Sequence, residues 1–314
     1  MNKTEVIRFG VFFAVSLAAC PLLVGVINKV KAFFAGRKGV RLLQLYCDLF
    51  KLMKKERVHS RTASWILPLA PVANIVLTVA ALAFLPLGTV ASPFGFAGDA
   101  VVFFYLLATG RFLTVLAALE TGSSFEGMGA SREVQFSALA EGTVFALLAF
   151  LALLSQSLEI GEMLSRNGLL WNSMAVSSGT LLAAAAFLVV LLCENCRVPF
   201  DDPETHLELT MIHEAMVLDY GGPDLAAVFY GAALKLWLFA AFLTALVLPH
   251  GVLGSLAGMF YMLIGIFVTA LIVGCIESCM ARSRFLKLPQ LLAGATVLVL
   301  IAVLVLPFLN GGVK

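Results

Sequence analysis

The sequence predicts an all-α membrane protein with about eight transmembrane helices and one amphipathic helix at the membrane interface. The chain of 314 residues is 61% hydrophobic and only 13% charged, about half the charged fraction of a soluble domain, and its mean hydropathy is +1.00. Apolar runs of about 20 residues, the length that spans a bilayer, recur along it. No sheet is expected, because backbone polar groups in lipid must be satisfied within helices.

The apolar runs place the predicted transmembrane helices. No convincing internal repeat relates one run to another, and we expect a single polytopic membrane domain over residues 1–314. The eight predicted spans cover residues 7–30, 65–87, 99–119, 134–155, 170–193, 225–248, 252–278 and 287–309.

The basic residues predict the orientation of the chain. The connection between the first two spans carries nine Lys and Arg residues, whereas the loops at 88–98, 156–169 and 249–251 together hold only Arg166. Short basic loops stay in the cytoplasm. We therefore expect a multi-pass protein of a prokaryotic cytoplasmic (inner) membrane, with both termini on the outer side.

An amphipathic helix is predicted at residues 40–56, within the basic connection. Polar residues at steps of three and four form one stripe on this helix, and apolar residues fill the rest of its surface. Such a helix lies along the membrane interface. The pattern fits both a generic surface anchor and a docking element. The stripe consists of Arg41, Gln44, Asp48, Lys51 and Lys55.

Four predicted spans contain an ionisable residue at or near membrane depth. An ionisable group in hydrocarbon costs several kcal/mol unless it is paired or hydrated. These groups therefore form either static ion pairs between helices or a proton relay, since carboxylates and lysines with shifted pKa values exchange protons. The sequence leaves both interpretations open. The four residues are Arg111, Glu141, Lys235 and Glu277.

Acidic residues are concentrated in the connection at 194–224, directly after the fifth span. The sequence Asp-Pro-Glu at 202–204 is a favourable helix start, because Asp caps a helix and Pro suits its first turn. We therefore predict a helix over 203–220. On this helix Glu204, Glu208 and Asp219 would share one face, with His206 and His213 opposite and Glu214 between them.

The acidic connection has three interpretations. A metal site needs three or four converging ligands, and the two histidines lie two turns apart, so we expect no bound metal. A solvated acidic face is the second interpretation. We favour the third, in which carboxylates that repel each other in a semi-buried mouth take up protons near neutral pH. The preceding pair Cys193 and Cys196 is interpreted as packed small residues rather than as a redox site.

Several motifs carry a resemblance to a known family. They are a pattern RxG…Q…D..K in the interfacial segment, an arginine and a membrane glutamate nine residues apart, and the signature E..RxPFD. With these motifs nearly the whole chain resembles subunit 1 of respiratory complex I and its relatives in membrane-bound, energy-converting [NiFe] hydrogenases. The matching residues are Arg37, Gly39, Gln44, Asp48, Lys51, Arg132, Glu141, Glu194, Arg197, Pro199, Phe200, Asp201, Pro203, Glu204, Glu208 and Leu209.

The chain also has features that separate the two branches of this family. The complex I version usually has proline where this chain has Val40, and His206 replaces a family glutamate. The end of the acidic connection carries about three extra residues. These departures point to a divergent, hydrogenase-related complex. The residues that resemble the formate hydrogenlyase and hydrogenase-4 type are Arg111, 121–133, Lys235 and 277–284.

The resemblance implies a subunit that anchors a redox arm and couples it to ion-pumping membrane subunits. The implied partners are hydrogenase-like large and small subunits with Fe–S clusters, and antiporter-like membrane subunits; no nucleic acid partner is expected. We expect no cofactor or metal on this chain, while a [NiFe] site on a partner and a quinone substrate stay open. Residues expected to couple protons are Glu141, Glu194, Asp201, Glu204, Glu208, Glu214, Asp219, Arg111, Arg197, Lys235 and Glu277. Residues expected to dock the redox arm are Arg37, Gln44, Asp48, Lys51, Glu126, Arg132 and Glu133.

Three alternatives to this function stay open. A quinone-chamber subunit of a complex I-like quinone oxidoreductase would have an amphipathic channel between the first span, the interfacial helix and the sixth span. A free-standing ion transporter would have inverted repeats. A purely structural anchor would pump protons normally after Glu141→Gln or Glu208→Gln. The sequence is compatible with either H⁺ or Na⁺ as the coupling ion.

Overall fold

Helices account for nearly all the regular structure of the described chain. The computed structural model describes residues 3–58, 63–87, 90, 92–169, 174–201, 211–247, 255–281, 283 and 285–310. Within these residues one isolated β-bridge joins Leu87 and Val90. The helices are α1 (Lys3–Phe34), α2 (Gln44–Met53), α3 (Ile66–Phe84), α4 (Asp99–Glu120), α5 (Ser124–Ser155), α6 (Ile160–Leu169), α7 (Met174–Glu194), α8 (His213–Met216), α9 (Gly222–Val247), α10 (Ser255–Cys279) and α11 (Leu288–Asn310), with a 3₁₀ turn at Phe285–Lys287.

Eight of the described helices are long and apolar enough to cross a membrane. They are α1, α3, α4, α5, α7, α9, α10 and, with the 3₁₀ turn, α11, which confirms the predicted fold class. Successive spans run in opposite directions, so α1, α4, α7 and α10 end where α3, α5, α9 and α11 begin. This end of the bundle also carries α2 and is called the α2 end below.

The centre of the bundle is formed by α9 and α7. About two thirds of the most apolar part of each is buried (67% and 61%), against 28–44% in the other spans. A helix that is apolar on all sides belongs in such a position. Trp237 of α9 is fully buried, Phe239 stacks on Phe187 of α7, and Phe242 packs against Phe187 at a tilt of 41°. The remaining spans pack around this pair, with α3 along α4 and α1 along α10.

The amphipathic helix α2 is shorter than predicted and is partly turned inward. It covers Gln44–Met53 rather than residues 40–56. The Tyr46 hydroxyl donates to the Ala18 carbonyl of α1, and Gln44 donates to the Asp48 carboxylate at 2.9 Å. Asp48 of the polar stripe lines an internal cavity, while the apolar Phe50 is exposed.

The prediction for the segment that precedes the fourth span was wrong. The fourth span was predicted to begin at 134, but α5 begins at Ser124 and carries Glu126 and Glu133 in its first turns. Glycine weakens a helix by about 1 kcal/mol. Here Gly129 is a packing position, since a Cβ there would lie 2.8 Å from the Ile212 carbonyl oxygen.

The predicted helix over 203–220 was also wrong in its described part. Only His213–Met216 is helical, and residues 217–220 form a turn. Backbone N–H groups in this segment bind side chains of other segments instead of continuing a helix, as at Asp219, whose N–H donates to Glu126 at 3.1 Å. Asp219 is exposed at this turn. Glu204, His206 and Glu208 lie outside the described residues.

The opposite end of the bundle has a helix, α6, where the sequence predicted a loop at 156–169. The buried carboxylate of Asp99 accepts a hydrogen bond from the Ile160 N–H at 2.8 Å and so satisfies the first turn of α6. Ile160, Met163 and Leu164 are buried at helical spacing. This spacing was visible in the sequence, but the segment is too short to be distinguished from a loop.

Candidate functional site

A cavity of about 470 Å³ lies inside the α2 end of the bundle. Its walls come from α1, α2, α3, α4, α5, α7, α8 and α9, and from residues 195–201 between α7 and the acidic connection. One part of the wall is apolar and includes Val24, Leu45 and Phe229. The other part contains Asp48, Arg111, Glu133, Glu194, Arg197, Asp201, His213, Glu214 and Lys235.

Four of the predicted proton-coupling residues form one ion-pair cluster. The Arg111 guanidinium donates to Glu194 through Nη1 and to Glu141 through Nη2. Lys235 Nζ lies 2.9 Å from the Glu194 carboxylate and donates to the Glu194 carbonyl oxygen at 2.6 Å. Burial of such charges is tolerable because they pair with one another. These contacts join α4, α5, α7 and α9 inside the bundle.

The Arg111–Glu194 pair stands between two spaces. Both residues line the large cavity, and both also line a pocket of about 40 Å³ that faces α4 and α5 on the other side. Glu141 lies in this small pocket, and its side chain is 47% exposed, against 7% for Glu194. The exposed rings of Tyr105 and Phe145 flank it. The ion pairs therefore connect the cavity to the lateral face of the bundle.

A further carboxylate, Glu133, lies beside this cluster. It is buried, its electrostatic neighbours include Lys235, Glu194 and Arg111, and it accepts a hydrogen bond from the Cys196 thiol at 3.6 Å. Burial, with the Glu133 charge, raises the pKa of Cys196 well above its usual range, so this thiol acts as a donor. With Glu141 and Glu194 there are three carboxylates beside two cations, Arg111 and Lys235.

Glu277 joins the segment at 195–201 to two spans. Its carboxylate is fully buried, and it lies 3.4 Å from Arg197 and 3.4 Å from Lys31 of α1. Arg197 lines the cavity. The predicted residues Arg197 and Glu277 are therefore brought together, but in a second ion-pair group rather than in the Arg111 cluster.

Asp201 fixes the opposite wall of the cavity. Its Oδ2 atom accepts hydrogen bonds from the backbone N–H groups of Ile212 at 3.0 Å and His213 at 3.2 Å. Asp201 itself is buried, with only 2% of its surface exposed. This carboxylate therefore positions the α8 segment, including Glu214, against the cavity.

His213 is a cavity residue that was not among the predicted site residues. We placed it on a helix face opposite the acids, whereas it lies next to Asp201, and its Nε2 atom has no hydrogen-bond partner in the described structure. Burial, with a contribution from Lys235, lowers the pKa of His213 from 6.5 to about 4. At neutral pH this imidazole is therefore uncharged.

The depressed pKa of His213 predicts a loss of stability in acid. The unfolded chain binds a proton at this residue below about pH 6.5 and the folded chain only below about 4, so this contribution to stability is present above 6.5 and is lost as the pH falls toward 4. Thermal denaturation across this range should show a smaller loss for His213→Gln than for wild type. Parallel curves for the two proteins would contradict the prediction.

The residues predicted to dock a redox arm divide into two groups. Arg37 and Lys51 are exposed at the α2 end. The others make contacts within the chain: Arg132 donates to the Met211 carbonyl at 2.9 Å and lies over the Phe285 ring, and Asp48 lines the cavity. The residues turned toward the chain are Gln44, Asp48, Glu126, Arg132 and Glu133.

Several polar cavity residues on the spans were missed from the sequence. Asn28, Asn74 and Thr114 line the cavity from α1, α3 and α4. A Cβ on Gly110 would lie 2.7 Å from the Asn74 side-chain oxygen, so this glycine leaves room for the amide. A polar residue inside an apolar run is the signal that could have found them. In the described part of the chain no group of three or more His, Cys, Asp or Glu could hold a metal ion.

The fold and the site together define a multi-pass membrane protein with a charged internal cavity. The chain belongs to the NADH dehydrogenase family, whose sequence profile matches residues 7–308. This match confirms the resemblance that the motifs indicated.

Curated relatives and one solved structure extend the comparison. Hydrogenase-4 component C of Escherichia coli (strain K12) is 34% identical over 91% of this chain and 92% of its own length. Formate hydrogenlyase subunit 4 of the same organism is 28% identical over 88% and 91%. A chain of the membrane-bound sulfane sulfur reductase, an archaeal respiratory membrane complex, has the same fold, with a TM-score of 0.80, 19% identity, and coverage of 96% and 99%.

Proposed function

We propose that this chain is the membrane anchor and coupling subunit of a proton-translocating, hydrogenase-like complex related to complex I. A redox arm would bind at the α2 end, and ion-pumping membrane subunits would bind at the side of the bundle. Fe–S clusters, and a [NiFe] site where the complex has one, would lie on hydrogenase-like large and small subunits. The complex would sit in a prokaryotic cytoplasmic membrane, with the basic α2 end inside.

One observation carries this proposal: Arg111 and Glu194 separate the cavity from the lateral pocket at Glu141. A proton driven onto Glu194 from the cavity by the redox reaction would neutralise a carboxylate that Arg111 and Lys235 hold in its ionised form. The neutral Glu194 then attracts Arg111 less strongly, so the attraction between Arg111 and Glu141 becomes the stronger of the two. Charge is thereby passed to the lateral face without any electron entering this chain.

The exposure of Glu141 on the lateral face indicates a second partner subunit. A carboxylate that is half exposed at membrane depth costs several kcal/mol unless it is paired or hydrated. An antiporter-like membrane subunit that covers Glu141 would remove this carboxylate from lipid and would respond to the change in its pairing with Arg111. At the α2 end, the exposed Arg37 and Lys51 are available to the redox arm. The names of the relatives, hydrogenase-4 and formate hydrogenlyase, support hydrogenase-like partners.

A quinone-chamber function is the second candidate, and one observation favours it. The apolar part of the cavity is formed by Val24 of α1, Leu45 of α2 and Phe229 of α9. These are the elements between which the quinone alternative places its channel. A cavity that is apolar at one side and charged at the other suits a quinone, whose ring is polar and whose tail is not.

Paired assays on the complex that copurifies with this chain separate the two candidates. One assay follows hydrogen evolution or uptake, and the other follows reduction of an added quinone. We expect hydrogen turnover without quinone reduction. Quinone reduction without hydrogen turnover would contradict the hydrogenase-like proposal and favour the chamber.

A further inference from the structure

A second space, a surface groove of about 500 Å³, lies at the α2 end between the end of α1, the turn after it and the end of α10. It shares only Asn28 with the lining of the charged cavity. The proposed coupling function uses one residue of this groove, Arg37, as a contact available to the redox arm, and assigns no role to the groove as a whole. Its lining consists of Asn28, Lys31, Ala32, Phe34, Ala35, Arg37, Gly39, Val40 and Ser278.

The groove is built by a turn that folds back onto α1. The Arg37 N–H donates to the Ala32 carbonyl at 2.8 Å, and Lys29 Nζ donates to the Lys38 carbonyl at 2.9 Å. Gly39 has a positive φ of 63°, and a Cβ there would collide with Ala32. The turn is therefore held at several points, and it places the Arg37 side chain at the groove.

Positive charge dominates this groove. Among its described lining residues are two cations, Lys31 and Arg37, and no carboxylate; Lys31 also lies 3.4 Å from Glu277, outside the lining. The Arg37 side chain makes no hydrogen bond or ion pair with any described residue, and it is exposed. Arg37 therefore has the capacity to bind an anion.

An apolar rim lies beside the cationic lining. Phe33 and Phe34, in the last turn of α1, are 81% and 54% exposed, and Val40 is 46% exposed. Phe34 is also the last residue of the first membrane span. The groove therefore combines cations with exposed apolar side chains at the depth where a membrane span meets the headgroup layer.

We propose that this groove binds the headgroup of an anionic phospholipid, with the phosphate on Arg37 and Lys31 and the acyl chains beside Phe33 and Phe34. Guanidinium groups bind phosphate oxygens through paired hydrogen bonds. Basic pockets beside membrane helices are suited to anionic lipid headgroups. The apolar rim favours a lipid over an acidic protein segment, which would leave Phe33 and Phe34 unused.

Native mass spectrometry tests the proposal on the chain together with its copurifying subunits. The protein is placed in phosphatidylcholine nanodiscs with increasing fractions of phosphatidylglycerol, released, and scored for retained phosphatidylglycerol. Each basic residue near anionic lipid contributes about a fivefold change in affinity, so Arg37→Gln should need about fivefold more phosphatidylglycerol for equal retention. Lys55→Gln is the matched control, because Lys55 is exposed at the same end but does not line the groove.

The same spectra distinguish a bound lipid from the other possible occupants of the groove, a soluble subunit and inorganic phosphate. Loss of soluble subunits from Arg37→Gln with unchanged lipid retention would assign Arg37 to protein docking and overturn the proposal. Equal retention by Arg37→Gln and wild type would overturn it as well, as would displacement of the lipid by millimolar inorganic phosphate alone. Wild-type membranes washed at alkaline pH to remove soluble subunits are the reference, and they should retain the lipid.

Discussion

Glu194→Gln is expected to destabilise the protein more than any other conservative change in the cavity. The substitution keeps the shape of the side chain but removes the carboxylate shared by Arg111 and Lys235. Removing one partner of a buried ion pair leaves an uncompensated charge and costs about 3–5 kcal/mol. Thermal denaturation of the detergent-solubilised protein should show a clearly lowered midpoint.

Two further variants test the reason for that loss. The double variant Glu194→Gln with Lys235→Met should recover part of the stability, because it removes the cation left without a partner. Glu162→Gln, an exposed change in α6, should leave the midpoint unchanged. A midpoint for Glu194→Gln equal to that of wild type would show that this carboxylate does not hold the cluster together.

Asp201→Ala is expected to have an effect of similar size, because it removes a buried hydrogen-bond acceptor. The buried N–H groups of Ile212 and His213 would both lose their partner. An unsatisfied buried donor costs about 1–3 kcal/mol, so the loss should reach about 2–6 kcal/mol. The α8 segment would also be freed from the cavity wall.

Asp201→Asn is the matched variant for this prediction. Its amide oxygen still accepts a hydrogen bond, so most of the stability should remain. Hydrogen exchange at the amides of Ile212 and His213 reports the contact directly and should accelerate in Asp201→Ala only. Equal acceleration in both variants would assign the role to the charge of Asp201 instead of its acceptor geometry.

The sequence predicted the membrane fold well because lipid leaves few structural choices. A run of apolar residues long enough to span a bilayer forms a helix almost regardless of its detailed order. The same reasoning marked Arg111, Glu141, Lys235 and Glu277, because an ionisable residue in such a run stands out. It did not predict their partners, since Arg111 is separated from Glu194 by 83 positions along the chain.

The sequence was least informative for the segments at the membrane surface. Turn residues such as those at 121–133 predict a loop, but contact with Ile212 turns Gly129 into a helical packing position. In the acidic connection the carboxylate of Asp201 was interpreted by its charge, whereas the structure uses it as a backbone acceptor. Such roles depend on tertiary contacts between distant segments, which local patterns do not encode.

The most direct test of the coupling role is proton translocation in proteoliposomes by the complex that carries Glu141→Gln. The amide keeps a hydrogen-bond acceptor for Arg111 but does not ionise at the lateral face. We predict that protons moved per electron transferred fall by about tenfold or more, while redox turnover continues when the membrane is made leaky to protons. Unchanged proton movement would contradict the coupling role and leave this chain a structural anchor.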